Sequence, residues 1–307
     1  MEAPLAPIAF FAYNRPEHTR LVLESLSRNK LAEESLLFVF IDGPKPGASE
    51  EDKADIEKVK QVVQEKKWCR EVHITAAETN KGLIKANTEG VTQVVNQFGK
   101  VIVMEDDGVL SPGFLKYMND ALNFYEDNPK VMHIAAYRRP DLADVDVKEP
   151  TYFFYHTTTW GWATWKRAWD KFTPDAFAVR EAVKVKGNIS KLNMDNTYEF
   201  FWGLKAVALG KLRSWNAIWH SVVFLNDGMC LYPKKSLVSN IGHDGSGTNC
   251  VPDDRFKINY ELLADEIPVT EIPLVNHEGI RAHYVALHSS WYKMKFMAKH
   301  YLRYIFR

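Results

Sequence analysis

Cysteine is scarce in this chain. The 307 residues hold three, Cys69, Cys230 and Cys250, scattered and odd in number. No C-x-x-C pair occurs, which argues against a zinc site or a disulfide framework and for a reducing compartment. Long apolar runs are also missing: the run at Ile8–Tyr13 falls well short of the roughly 20 residues that span a membrane. Glu2 stands where a signal peptide would be basic, so the expectation is a cytoplasmic protein, or one peripheral to a membrane. Charge of one sign is not in excess, with Lys+Arg and Asp+Glu equal at 39 each, and no nucleic-acid partner is expected. Neither G-x-G-x-x-G nor a Walker lysine motif appears, which removes support for a dinucleotide or P-loop site.

What is present is core material in an alternating order. Hydrophobic residues make up 46%, enough for one large domain or two small ones. Pro7–Tyr13 and Leu36–Ile41 are continuous apolar runs of the kind that form buried parallel strands. Glu71–Thr75 and Lys100–Met104 supply a third and fourth. Helical patterns fall between them, after Pro16, around Glu50–Lys66 and over Gly82–Gln97. Strands separated by helices predict βαβ units, hence an α/β fold with a mostly parallel sheet flanked by helices. Ligands of such sheets gather beyond the carboxyl ends of the strands. That rule puts Asn14-Arg15, Asp42-Gly43, Asn80-Lys81 and Glu105-Asp106-Asp107 on one rim.

The last of these is the most informative. Three consecutive acids at a strand end repel one another, and a hard divalent cation such as Mn²⁺ or Mg²⁺ would relieve that repulsion while binding a phosphorylated substrate. The plainer alternative is a solvated turn, or charge placed at the start of a helix.

In order and spacing, Phe11-Ala-Tyr-Asn-Arg15-Pro16, Asp42-Gly43, Asn80-Lys-Gly-Leu83 and Glu105-Asp106-Asp107 resemble the nucleotide-sugar half of GT-A-fold glycosyltransferases. More narrowly, they are similar to the animal N-acetylglucosaminyltransferase that initiates complex N-glycans and to its bacterial relatives. Ser111–Phe114, Tyr117, Tyr125 and Val131–Ala135 extend the resemblance, which runs from about Pro7 to Cys250. It implies that Arg15 contacts the donor diphosphate and that Asp42 holds uracil. It also implies that Glu105, Asp106 and Asp107 meet donor sugar, ribose and metal in turn. Asn80 and Lys81 join the donor set.

The second half is richer in aromatics. Trp160, Trp162, Trp165 and Trp169 are four of the nine tryptophans. Flat rings can bury the apolar faces of sugars, and Trp160 and Trp162 are the acceptor-binding candidates. Spacings of three and four among Trp162, Trp165 and Trp169 equally suit one face of a core helix. An inverting transfer needs a base for the acceptor hydroxyl. Where the resemblance implies an aspartate, this chain has Asn216, which cannot take a proton. Asp195 is the preferred substitute, followed by Glu199 and then His220.

Asn240–Asn249 carries glycines at 242, 245 and 247, which give a loop unusual backbone freedom. In the resembling family the equivalent loop closes over the donor diphosphate and ends in a histidine near the metal. Asn249 stands there instead, and His243 is the substitute candidate. The plain reading is a surface turn. After Glu278 there are no acids, and Lys295, Lys299, Arg303 and Arg307 recur every four residues. Trp291, Met294, Ala298, Tyr301 and Ile305 form an apolar set beside them. Such a pattern suits a helix lying on an anionic membrane, or one docked on the domain with its charges in water.

The combined expectation is a GT-A-like catalytic domain over 1–275, divided into a nucleotide-sugar half (1–135) and an acceptor half (136–275), with a basic amphipathic tail over 276–307. Its activity would be metal-dependent transfer, by inversion, from a UDP-sugar to a saccharide acceptor. N-acetylglucosamine is the preferred sugar, and the acceptor is expected on a lipid carrier in bacterial surface polysaccharide assembly. A sugar nucleotidyltransferase and an inactive saccharide-binding protein are the rivals.

Overall fold

The computed structural model describes residues 4–246, 253 and 256–287. The first half runs β1 (Ile8–Ala12), α1 (Pro16–Ser27), β2 (Leu36–Ile41), α2 (Glu50–Gln64), β3 (Glu71–Ala76), α3 (Leu83–Phe98) and β4 (Lys100–Glu105). These are the four strands and three helices expected, with ends shifted by a residue or two. Then follow β5 (Gly108–Leu110), α4 (Phe114–Phe124), β6 (Val131–Ala135), β7 (Thr151–Phe154), β8 (Trp162–Trp165) and α5 (Lys166–Trp169). The chain continues through α6 (Ala176–Lys186), α7 (Ile189–Leu192), α8 (Phe200–Ala208), α9 (Trp215–Leu225), β9 (Met229–Pro233), β10 (Val238–Asn240) and α10 (Glu278–Leu287).

Eight strands form one sheet in the order β3-β2-β1-β4-β8-β6-β9-β7. β1 pairs parallel with β2 and β4, and β2 with β3. β8 enters antiparallel between β4 and β6, and β7 closes the far edge antiparallel to β9. The result is the mixed, mostly parallel α/β sheet that the sequence implied.

Alternation along β1 shows why both faces are covered. Ile8, Phe10 and Ala12 join a core with α1, α2 and α4, including Leu23, Val59 and Leu122. Ala9 and Phe11 join the opposite core with α3, α6 and α9, including Val94, Val183 and Trp219. A strand apolar on both sides can be satisfied only by helices on both sides.

The tryptophan segment corrects one expectation. Trp162 and Trp165 are the two ends of strand β8, and only Trp169 lies in a helix, so the three share no helical face. They are nevertheless core residues, at 0%, 2% and 4% exposure. The described part of the C-terminal segment also belongs to the domain. Asn276 bridges to Phe153, and α10 buries Ile280 and Tyr284. The basic stripe from Lys295 onward lies outside the described residues, as does Asn249.

Candidate functional site

Because β1, β2 and β4 run parallel, their carboxyl ends deliver Arg15, Asp42 and the acidic run to one rim. Arg15 sits at the start of α1, where Pro16 supplies a preformed first-turn φ and Thr19 N–H donates to the Arg15 carbonyl at 2.9 Å. Its guanidinium forms a two-point pair with Asp106 and lies 3.6 Å from the Asp107 carboxylate. Burial disfavours the charge on Arg15, but Asp106, Asp107 and Glu105 more than offset this and hold it protonated.

The acids themselves are under strain of a different kind. Burial, then the charges of Asp107 and Asp106, push Glu105 up to about 8, against the pull of Trp215 and Arg15. Burial likewise raises Asp107, partly opposed by Arg15. Glu105 Oε1 and Asp107 Oδ1 are enclosed without a hydrogen-bond partner. A single guanidinium therefore serves three carboxyl groups, too little positive charge for all three to ionise.

A small two-stranded ladder brings the glycine loop onto this cluster. β10 pairs antiparallel with β5, matching Asn240 to Gly108, and Ile241 N–H donates to the Asp107 carbonyl at 2.8 Å. Gly242 then packs so closely that a Cβ would lie 2.6 Å from Asp107 Oδ2 and 3.1 Å from Arg15 Nη1. His243 follows, wedged between the rings of Trp160 and Phe256 at 5.5 and 4.7 Å, with both ring nitrogens enclosed and unpartnered. His18 and Asp244 pair across the loop at 3.1 Å.

Among the described residues no three His, Cys, Asp or Glu side chains are grouped to hold a metal ion. Asp107 and His243 lie on the same side of the cluster, joined through Ile241 and Gly242, which pack on Asp107. An orphaned carboxylate oxygen and an orphaned imidazole are good donors for Mn²⁺. A divalent ion held by one or two side chains fills its shell with water and substrate phosphate. The residues fit such an ion.

Asp42 is engaged by its own neighbours at the rim. One of its oxygens accepts from Gly43 and Lys81 backbone N–H (2.9 and 2.7 Å), the other from Asn80 Nδ2 and Gly82 N–H (2.9 and 3.1 Å). A carboxylate has about four lone-pair positions, and four donors occupy them here, so a uracil N–H would have to share or displace one. Asp42 locks the 80–82 loop to the end of β2. Asn80 is part of that lock and also donates to Gly43 O at 3.0 Å. The Lys81 ammonium faces outward to Glu89 at 2.7 Å.

The acceptor and base candidates scatter. Trp162 is fully buried, stacked on His133 and packed against Trp215 and Trp219, so it offers no face to a sugar. Trp160 is half-buried beside His243 and does border the site. Asp195 lies against α10, where Arg281 grips it at 2.7 and 3.2 Å. Glu199 is exposed at the start of α8. Neither shares a hydrogen bond or ion pair with the acidic run among the described residues. His220 is a core residue bonded to Leu192 O at 3.0 Å, and burial pulls it down to about 4. Asn216 accepts from the Thr157 hydroxyl at 2.8 Å, tying α9 to the segment after β7.

One contributor escaped the sequence and another was visible only as part of its loop. Trp215, at the first position of α9, reaches Glu105, and Gly242 gives Asp107 its close backbone neighbour. The glycine was visible in its loop; nothing in the sequence paired the tryptophan with a residue 110 positions earlier.

No protein-family model matches the chain, and no curated protein matches it. Among solved structures, S. aureus TarS aligns with a TM-score of 0.42 at 14% identity, over 78% of this chain and 37% of its own. Mouse xyloside xylosyltransferase 1, in its apo form, gives 0.37 at 12%, over 67% and 83%. The galactosyltransferase LgtC, in complex with donor and acceptor sugar analogues, gives 0.34 at 8%, over 74% and 72%. This chain thus spans just over a third of the TarS chain.

Proposed function

We propose that this protein is a glycosyltransferase that takes a sugar from a nucleotide diphosphate donor, UDP-linked, and passes it to a saccharide acceptor. The carrying observation is the cation-deficient cluster at the strand ends. Arg15 sits among three acids, with the orphaned Asp107 Oδ1 and His243 nitrogens beside it. Such a cluster is costly in the free protein and becomes favourable when a divalent ion and a diphosphate arrive together.

Asp107 and His243 would hold the Mn²⁺ or Mg²⁺, which when bound neutralises charge on the leaving diphosphate. Arg15, kept charged by its neighbours, places a fixed guanidinium where that diphosphate would gather charge. The rings of Trp160 and Phe256 enclose His243 beside the Gly242 loop and would limit water there. Inversion, N-acetylglucosamine as the sugar, Asp195 or Glu199 as base, and a lipid-linked acceptor at the cytoplasmic face of a membrane belong to the same proposal. No helix among the described residues is long and apolar enough to cross a membrane. The basic segment beyond the described residues would supply the surface contact with anionic lipid.

The test is calorimetric titration of UDP with and without Mn²⁺, followed by donor hydrolysis across a panel of nucleotide sugars. UDP should bind only weakly in EDTA and at least about tenfold more tightly with Mn²⁺, roughly 1.4 kcal/mol. Equal binding in both, with no hydrolysis of any donor, would sink the proposal.

A further inference from the structure

Between the first turns of α3 and the segment leading into α9 lies a cavity of about 740 Å³. Leu83, Ile84 and Pro174 give it an apolar floor, and Lys81, Lys85 and Arg213 give it three positive side chains. Glu89 is the single acid in its lining, and it is already shared by the two lysines at 2.7 and 3.7 Å. Arg213 is exposed and has no acidic partner among the described residues. Thr88 completes the lining on the α3 side. A chain of zero net charge has therefore gathered an excess of positive charge in one concave place.

Both walls of the cavity continue directly into the site. On one side, Asn80–Gly82 is the loop that Asp42 pins to the end of β2. On the other, Arg213 and Ser214 lead to Trp215, which reaches Glu105. The cavity lining includes none of Arg15, Asp107 and His243, and its link to the acidic run is through Trp215, two residues beyond Arg213.

We propose that this cavity is the acceptor site and that it recognises a saccharide carrying a phosphate group. This deepens the transferase reading and rests on it. A guanidinium fork suits a phosphate in two-point contact, while the lysines contribute charge that tolerates several orientations. The apolar floor is suited to the C–H face of the attached sugar ring. A neutral oligosaccharide would leave Arg213 without a negative partner and would leave Glu89 divided between two lysines.

The experiment titrates the full chain, saturated with UDP and Mn²⁺, with glucose 1-phosphate, methyl glucoside and inorganic phosphate. Glucose 1-phosphate should bind at least tenfold more tightly than either of the others. Its affinity should fall as salt rises, because partly exposed charges are screened over about 8 Å at physiological ionic strength. Arg213→Gln should weaken it about tenfold and leave UDP affinity unchanged; the side chain is exposed, so the fold is not at stake. The proposal is overturned if methyl glucoside or inorganic phosphate binds as tightly, if Arg213→Gln has no effect, or if saturating UDP displaces the sugar phosphate. Should UDP fail to bind at all while Arg213-dependent sugar phosphate binding persists, the transferase reading falls and the cavity keeps its ligand.

Discussion

Asp107 meets two conflicting demands. Buried at 7% exposure among like charges, it is poor folding material, and its carboxyl is raised accordingly. As a ligand for a divalent ion it must be ionised. Asp107→Asn should therefore raise thermal stability in EDTA, by about 1 kcal/mol or roughly 2–4 °C in Tm, and abolish the Mn²⁺ enhancement of UDP binding. A variant that is less stable in EDTA would show that the carboxylate is a structural anchor. Gly242→Ala is the complementary case. Its methyl group would lie 2.6 Å from the Asp107 carboxylate, so one of the two must move. UDP affinity with Mn²⁺ should fall about tenfold, roughly 1.4 kcal/mol, by calorimetry, and unchanged affinity would separate the loop from the site.

At the scale of elements, what could be read in advance was whatever local pattern controls. Continuous apolar runs ending in Asn14-Arg15, Asp42 and Glu105 placed the parallel strands and the rim correctly, because buried parallel strands have few other sequence solutions. Long-range pairing left no such trace. The β5–β10 ladder that sets His243 against Asp107 joins three-residue strands over a hundred positions apart, too short to show a period. Asp42 looked like a free carboxylate because its four donors come mostly from backbone N–H groups, which have no sequence signature. Trp162 and Trp165 misled because a spacing of three fits a helix, whereas here they are opposite ends of one short strand. Trp162→Ala should accordingly destabilise the fold by about 3–5 kcal/mol in denaturant unfolding. Trp160→Ala, at the half-buried edge of the site, should cost much less stability and weaken ligand binding instead. Similar stability losses for both would place Trp160 in the core as well.

The whole molecule combines two buried ionisable sets whose effects on stability oppose each other across the pH scale. His133, His156 and His220 are all enclosed, and burial holds them below the ordinary 6.5, His133 at about 3 and His220 at about 4. Below pH 6.5 the unfolded chain takes up protons that the folded chain refuses, so stability falls as pH drops from 6.5 towards 4. Glu105 and Asp107 act in the opposite sense. Their carboxyls are raised, Glu105 to about 8, so the folded chain retains protons that the unfolded chain releases above about 4.5. Their contribution to stability is lost as pH rises from there towards 8. Between 4.5 and 6.5 these imidazoles, with His277 also held down by burial, outweigh two carboxyls; above 6.5 the carboxyls govern, and near 8.5 the buried thiols Cys69 and Cys230, raised by burial, add to the same decline. The metal-free protein should therefore be most stable near pH 6.5, with Tm in EDTA declining on both sides. Mn²⁺ with UDP should flatten the alkaline decline, since a cation beside Asp107 stabilises the charged form. Glu105→Gln should flatten it without any ligand, because the variant has no proton to release there. A Tm that climbs steadily from pH 6.5 to 8.5 in EDTA would mean that the acidic run is ionised and already compensated in the free protein. The cation-deficient cluster on which the functional reading rests would then not exist.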